Sequence, residues 1–386
     1  MKEKKLLLIS TLSLAVFFLL RHFLFYDRGL SFFEEGLFYY LYDSIAEGKM
    51  LYRDVCTYTA PLANYFFALV LKLFGSELLI VRAASIVLTT LGLITIFFIL
   101  REFLSNFWAW IGALVSYSMY YLWWYSYGYE FGSLFCYLTI LSAYLFVKKN
   151  KTIYFILMIL CSVGATGYNL IFQGIPFVFA ILTMFILFHK RVNHKYAILY
   201  LGSVVFINML IFSFFIVKSS FITVLYNLTP FLQGESSKQP FSLVGKFPFF
   251  NLLEHYNAYF PENLSPSSLY IFLKGWVYIF IYYMPILNLI LFKVNYSKVF
   301  KQLNFPLQFL YLLLLFYSLF LLTRPYLFYP VGHSDAFFFS PTILFFYINS
   351  YYVLRNICKQ FDLKYVNAIK YFFVAVIAFF YLIIQV

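Results

Sequence analysis

The sequence predicts an all-α polytopic membrane protein with about eleven transmembrane helices. Of its 386 residues, 63% are hydrophobic and only 11% are charged, whereas about 25% of the residues of a soluble domain are charged. The apolar residues form long runs, and a helix needs about 20 of them to cross a bilayer. This composition excludes a soluble enzyme, and we expect a single membrane domain over residues 1–386.

The distribution of charge predicts how these helices are oriented. Lys and Arg collect in cytoplasmic loops, and most basic residues of this chain lie in six clusters between apolar runs. The net charge of +13 therefore needs no nucleic acid as partner, and the N-terminus is predicted to be cytoplasmic. The predicted spans are 5–26, 79–100, 106–126, 131–147, 152–167, 171–188, 196–217, 269–292, 305–323, 337–354 and 368–385.

Two longer segments are predicted to lie outside the membrane, over residues 27–78 and 218–268. Within the first, the apolar run 61–74 is too short to span and begins with a proline, which favours an interfacial helix. Before it, Leu37, Leu41 and Ile45 recur every four residues, which predicts a short amphipathic helix on the membrane surface. The second segment is rich in Pro and reads as an ordered loop.

The first outer segment also holds the densest group of polar residues. Carboxylates beside an apolar helix are energetically costly unless they are solvated, paired with a cation or required for function. A functional role is therefore one explanation for Glu34 and Glu35, either of which could act as a general base. Arg53 or Arg82 could hold a phosphate with a guanidinium fork. In the simpler interpretation, the two glutamates are solvated residues stabilised by a helix dipole.

The order of these residues resembles a known family. An acidic pair and a glycine (34–36) precede an amphipathic helix, Gly-x3-Tyr-Arg-Asp (48–54), an aromatic-proline turn, Leu-Phe-Gly (73–75) and Arg82. This arrangement is similar to membrane glycosyltransferases of the GT-C type, in particular protein O-mannosyltransferases and lipid A aminoarabinose transferases. The resemblance is tightest over residues 27–105, and it implies a GT-C-like fold with juxtamembrane helices in the first outer loop.

The resemblance implies roles for several residues. Glu34, where the family usually has Asp, would be the catalytic base, with Glu35 beside it. Glu130 would be the second acidic residue, although a carboxylate stabilising the start of a span is an equal alternative. The aminoarabinose transferases carry a Lys-Pro-Pro run whose lysine contacts the lipid phosphate. The matching stretch of this chain, residues 59–61, contains no lysine. The donor phosphate is therefore assigned to Arg53, Arg82 or Arg324.

Further polar residues complete the predicted site. Possible substrate-binding residues are Asp54, Tyr58, Asn64, His333 and Asp335. His333 and Asp335 are too few to form a metal site, so we expect no metal, and the resemblance implies no cofactor beyond the lipid-linked sugar.

The predicted function is transfer of a sugar from a polyprenyl-phosphate donor. The acceptor would be an envelope glycan such as lipopolysaccharide, a lipid or a protein. We expect the enzyme in the bacterial inner membrane, surrounded by membrane lipids, with its active site on the outer face. An envelope-polysaccharide polymerase and a lipid-linked sugar transporter or flippase are the alternatives. A transporter would show internal repeats and a site near the bilayer midplane.

Overall fold

The structure is a computed structural model that describes residues 2–23, 34–57, 59–117, 128–168, 174–228, 284, 286–321 and 335–358. It describes only the backbone at 2–4, 21–22, 34, 117, 176, 320–321, 335–340 and 357–358. The predicted site residues Tyr58, Arg324 and His333 lie outside the described residues, as do most of segment 218–268 and the predicted span 368–385.

The described residues are almost entirely helical, as predicted, and their only β pairing is an isolated bridge between Leu51 and Val55. The helices are α1 (Lys2–Phe23), α2 (Glu34–Ala46), α3 (Pro61–Phe74), α4 (Leu78–Arg101), α5 (Asn106–Tyr117), α6 (Tyr129–Lys149), α7 (Thr152–Thr166), α8 (Ile175–Leu187), α9 (Lys195–Lys218), α10 (Phe221–Leu228), α11 (286–298), α12 (Phe305–Leu321) and α13 (Asp335–Cys358). A short 3-10 turn, Phe300–Gln302, lies between α11 and α12.

Three helices of the described part of the chain, α4, α6 and α9, are long and apolar enough to cross a membrane. Each coincides with a predicted span. Helices also occupy the described portions of the other predicted spans, but several are shorter than a full crossing. An all-α membrane fold is therefore supported, whereas the number of about eleven spans stays a prediction.

The chain divides into two compact units, which we describe separately. In the first, comprising residues 1–99 and 122–240, α2 and α3 form one hairpin and α6 and α7 form another. Polar contacts join α7 to α9, because the hydroxyls of Ser162 and Tyr200 lie 2.8 Å apart and Thr166 donates to Asn208 Oδ1 at 3.0 Å. The prediction of one membrane domain stays a prediction.

The second unit, residues 100–121 and 241–386, is held together by buried amides. Asn288 Nδ2 donates to the Thr342 carbonyl oxygen at 3.0 Å, and one heptad further on Asn295 Nδ2 donates to Asn349 Oδ1 at 3.1 Å. Tyr311 donates to the same Asn349 oxygen. Interhelical amide hydrogen bonds of this kind join helices in a medium where apolar burial supplies little driving force.

Helix α2 is amphipathic, and its buried face shares two of the three predicted apolar residues, Leu41 and Ile45. Phe38, Tyr42 and Ile45 are buried with Glu35, at the spacing of one helical face, while Leu37 is 58% exposed. The four-residue repeat of apolar residues placed Glu35 on another face, and that placement is wrong, because Glu35 is buried with Leu41 and Ile45. The physical reason is that a cation on α4 compensates the buried carboxylate, as described below.

Candidate functional site

The loop between α2 and α3 is built around the side chain of Asp54. Its Oδ2 accepts a hydrogen bond from the Met50 amide at 2.8 Å, and its two oxygens accept from Arg53 Nε and Nη2 at 2.9 and 2.8 Å. These bonds to the charged form lower the pKa of Asp54 to about 2 and raise that of Arg53. The Arg53 side chain is nevertheless half exposed, so it stays accessible to a ligand.

A buried tyrosine, Tyr52, anchors the same loop to the interior of the protein. Tyr52 has a positive φ of 68°, which is uncommon outside glycine. Its hydroxyl donates to the Thr59 carbonyl oxygen at 2.8 Å, and its ring packs edge-on against Phe215 of α9. Burial raises the pKa of Tyr52 well above its usual value, so the hydroxyl remains a donor. The loop is therefore fixed from the side opposite Arg53.

Asn64 holds the start of α3 in place. Its Nδ2 donates to Thr59 Oγ1 at 2.9 Å and to the Ala60 carbonyl oxygen at 3.0 Å. Asn64 is fully buried. Its predicted role in binding substrate is not tested, and in the structure its amide connects the loop to α3.

The first turn of α2 is tied to α4 by a buried ion pair. Arg82 Nε donates to Glu35 Oε1 at 2.7 Å and Arg82 Nη2 to Glu35 Oε2 at 2.6 Å. The exposed fractions of the side chains are 5% for Arg82 and 0% for Glu35. This bidentate geometry is the strong form of a carboxylate–guanidinium contact. It fixes the backbone of the neighbouring Glu34, which begins α2.

Glu130 is the second buried carboxylate of this region. It lies in the first turn of α6, is 2% exposed and lies within electrostatic reach of Glu35. The hydroxyl of Ser85 lies beside it. In the part of the chain that the structure describes, neither this hydroxyl nor either Glu130 oxygen forms a hydrogen bond of good geometry. A buried polar group without a partner is costly, and such groups concentrate at functional sites.

Gly128 allows the start of α6 to approach the end of α7 closely beside Glu130. Gly128 precedes α6 with φ of 75°, a left-handed conformation, and a Cβ atom there would lie 2.8 Å from the ring of Tyr168. The Tyr168 ring in turn packs edge-on against Tyr129, with ring centroids 5.2 Å apart. The start of α6 and the end of α7 therefore form a closely packed wall beside Glu130.

Helix α3 is docked on the end of α7 through its free amides. The first turn of a helix has amides without intrahelical partners. Here the amides of Ala60 and Leu62 donate to the carbonyl oxygens of Tyr168 and Gly167, at 2.7 and 2.9 Å. Thus α3 is positioned by α7 rather than by its own sequence alone.

The structure brings together only part of the predicted site. Glu35, Arg82 and Glu130 lie in one group, and Arg53 and Asp54 form a separate surface pair. Asp335 begins α13, and only its backbone is described. Among the described residues, no group of three or more His, Cys, Asp or Glu residues is placed to hold a metal ion.

Ser85 is the member of this group that sequence reasoning missed. It lies three residues after Arg82, on the same face of α4. That spacing was the available signal, but a serine in an apolar helix most often bonds to its own backbone. Its position beside Glu130 depends on contacts with a distant helix.

Comparison with known proteins identifies the class of enzyme. Residues 58–217, about two fifths of the chain, match the family model described as dolichyl-phosphate-mannose-protein mannosyltransferase. This match supports a membrane glycosyltransferase of the GT-C type. The predicted resemblance is confirmed.

The matched segment contains Arg82, Ser85 and Glu130 and begins after Glu34 and Glu35. No curated protein and no solved structure matches the chain.

Proposed function

We propose that the protein transfers a sugar from a polyprenyl-phosphate donor to an acceptor hydroxyl with inversion at the anomeric carbon. The observation that carries this proposal is the position of the Glu35–Arg82 pair, which ties the start of α2 to a helix of the matched segment. The first turn of α2, which carries Glu34 and Glu35, precedes the matched segment in sequence and is bound to it through Arg82. Dolichyl phosphate, the carrier named in the family description, is itself a polyprenyl-phosphate lipid.

Glu34 is the base in this proposal, because the carboxylate of Glu35 is occupied by the ion pair with Arg82. Both oxygens of Glu35 accept hydrogen bonds from Arg82 in a buried site. Breaking a buried pair costs about 3–5 kcal/mol, so Glu35 is poorly suited to exchange a proton in each turnover. Glu35 and Arg82 act as positioning residues that hold the turn carrying Glu34.

The reaction needs one proton acceptor and one stabilised leaving group. The acceptor oxygen attacks the anomeric carbon, its proton passes to Glu34, and the bond between this carbon and the phosphate oxygen breaks. The electron pair leaves with the lipid phosphate, whose developing charge needs cations more than a proton. No metal and no nucleotide enter this scheme.

Arg53 is the first candidate for binding the donor phosphate. Its side chain is half exposed, and none of the described residues is assigned as a partner to Nη1. Arg82 could serve only by leaving Glu35. Arg324 lies outside the described residues and remains a prediction. Arg53 would therefore hold a phosphate while Asp54 fixes its other edge.

The reaction is proposed to take place on the outer face of a bacterial inner membrane. The positions of the carboxylates along the sequence support this side, because most of them fall in predicted outer segments. The acceptor is an envelope glycan, a lipid or a secreted protein.

The test is transfer of radiolabel from polyprenyl-phosphate sugars in membranes that contain the wild type or Glu34→Gln. We expect label in an acceptor fraction with the wild type and at least about a hundredfold loss with Glu34→Gln, since a general base typically contributes about 10²–10⁴-fold. Glu47→Gln is the matched control, because Glu47 is an exposed glutamate just after α2. It is expected to retain full activity.

Three other outcomes would contradict parts of the proposal. Full activity of Glu34→Gln would overturn the assignment of the base, and parallel loss in Glu35→Gln or Glu130→Gln would then identify its replacement. Movement of the sugar-lipid across the bilayer without transfer would replace the enzyme by a flippase. Extension of a glycan by many repeat units would indicate the polymerase.

A further inference from the structure

One stretch of the chain contains no carboxylate. Between Phe131 and Gly234 there is no Asp and no Glu, although the stretch spans α6 to α10. Apart from Lys218 at the end of α9, its lysines and arginines collect in the two turns that join α6 to α7 and α8 to α9, and these six are all exposed. They are Lys148, Lys149, Lys151, Lys190, Arg191 and Lys195.

Aromatic contacts bring these two turns to the same end of the first unit. The rings of Phe146, Phe155 and Tyr196 contact one another, with centroid distances of 5.0 to 5.2 Å. They stand at the end of α6, in the first turn of α7 and at the start of α9. The two groups of cations are therefore neighbours in space and form one basic surface.

Aromatic residues contact two of these lysines. Lys149 Nζ donates to the Tyr154 hydroxyl at 3.1 Å, and the Lys148 ammonium lies 5.1 Å from the centre of the Tyr144 ring. A cation over an aromatic face keeps its full charge. The basic surface thus has two lysines oriented by aromatic residues, and its own stretch of sequence holds no carboxylate.

Exposed apolar side chains adjoin this basic surface. Large aliphatic residues on the neighbouring turns of three helices are about half exposed or more, namely Ile153 and Ile156 on α7, Ile186 and Leu187 on α8, and Ile198 and Leu199 on α9. An apolar wall next to a cationic rim matches a molecule that has an anionic head and a hydrocarbon tail.

We propose that this basic surface binds the headgroup of an anionic phospholipid, whose acyl chains lie along α7, α8 and α9. The combination of charge and adjoining apolar surface favours a lipid over a soluble anion, because inorganic phosphate would use the cations alone. A soluble acidic protein would not reach the apolar wall. The binding is independent of sugar transfer, and it adds a lipid contact at the end of α6 opposite Glu130.

The test measures lipid retention by the purified full-length protein with native mass spectrometry. Dioleoyl phosphatidylglycerol is the probe, dioleoyl phosphatidylcholine is the neutral lipid, and inorganic phosphate is the soluble anion. The variant is Lys148→Gln/Lys149→Gln/Lys151→Gln. Its matched control is Lys293→Gln/Lys298→Gln/Lys301→Gln, which removes three exposed lysines from the second unit.

We expect wild type to retain phosphatidylglycerol in preference to phosphatidylcholine, and the first variant to lose that preference. Each cation near an anionic headgroup contributes about fivefold in affinity, so removing three lowers it by roughly a hundredfold. The control variant is expected to bind as the wild type does. Because all six lysines are exposed, both variants should fold, which the elution volume in size-exclusion chromatography checks.

Two results would overturn the proposal. Equal losses in both triple variants would indicate general attraction to cations rather than this surface. If phosphate displaced phosphatidylglycerol completely at equal concentration, the apolar wall would contribute nothing, and the bound species would be a free anion.

Discussion

The ion pair between Glu35 and Arg82 distinguishes two adjacent carboxylates that the sequence leaves equivalent. Glu35 points into the protein and meets a cation 47 residues later in the chain. A buried carboxylate without a counter-charge would be highly unfavourable. The pair therefore explains both the face that α2 buries and the assignment of the base to Glu34.

Breaking this pair from one side should destabilise the protein more than removing both partners. Arg82→Met leaves the Glu35 carboxylate buried without its cation, at a cost of about 3–5 kcal/mol. The double variant Glu35→Leu/Arg82→Met removes both charges and should regain most of that loss. Thermal unfolding in detergent, followed by circular dichroism, checks the order of the midpoints.

Exposed charges provide the control for this experiment. Arg53→Met removes a cation from a pair on the surface, where solvent screening leaves a single pair little effect on stability. Its unfolding midpoint should stay within a degree or two of the wild type. A double variant as unstable as Arg82→Met would show that packing rather than charge governs this site.

At the scale of single residues, the sequence predicted the candidate site residues but not which of them contact one another. The acidic pair at 34–35, Arg82 and Glu130 were all identified from their types and order. Which glutamate meets Arg82 depends on the helical phase of α2, and two apolar stripes one residue apart are both compatible with that sequence. Tertiary contacts select one of them.

Hydrogen bonds at the ends of helices position them as much as side-chain packing along their faces does, and α3 is an example. The bounds of α3 coincide with the predicted apolar run 61–74, which begins with Pro61, and Gly75, with φ of 113°, follows the helix. Its docking was not predicted, because the amides of its first turn bond to carbonyl oxygens more than 100 residues away. Local signals fix where a helix begins and ends, whereas its neighbours depend on long-range contacts.

Gly167→Ala should weaken the docking of α3 on α7. A Cβ atom at Gly167 would lie 2.8 Å from Leu62 Cβ, and an atom attached directly to the backbone cannot move away by a rotamer change. Overpacking of this kind costs about 1–3 kcal/mol. We expect a lower thermal midpoint and, since α3 follows the site loop, reduced sugar transfer as well.

Gly202→Ala is the matched control on α9. A Cβ atom there meets nothing within 4 Å, and alanine is favoured over glycine inside a helix by about 0.5–1 kcal/mol. Its midpoint should equal or exceed that of the wild type. If both alanine variants unfolded at the same temperature, the close approach of Leu62 to Gly167 would not contribute to the stability of the protein.

For the whole molecule, the charge pattern and the described helices agree on which helix ends lie together. Arg82 and Glu130 stand near the starts of α4 and α6, two of the three long apolar helices, and their side chains belong to one group. Lys148 and Lys149 stand at the other end of α6. If α6 crosses the membrane, the candidate site and the basic surface face opposite sides, as the positive-inside rule predicts.

Cys56 provides a direct test of that orientation, because it is exposed in the loop that carries Arg53 and Asp54. In a variant with Cys136, Cys161 and Cys358 replaced by alanine, a membrane-impermeant maleimide should label Cys56 in intact cells. The same reagent should label Lys149→Cys, introduced without Cys56, only after the cells are opened, since the reagent cannot cross a bilayer. Labelling of Cys56 only in opened cells would invert the topology and place the site in the cytoplasm. Sugar-lipids exposed on the outer leaflet would then be out of reach, so this result would also contradict the proposed side of transfer.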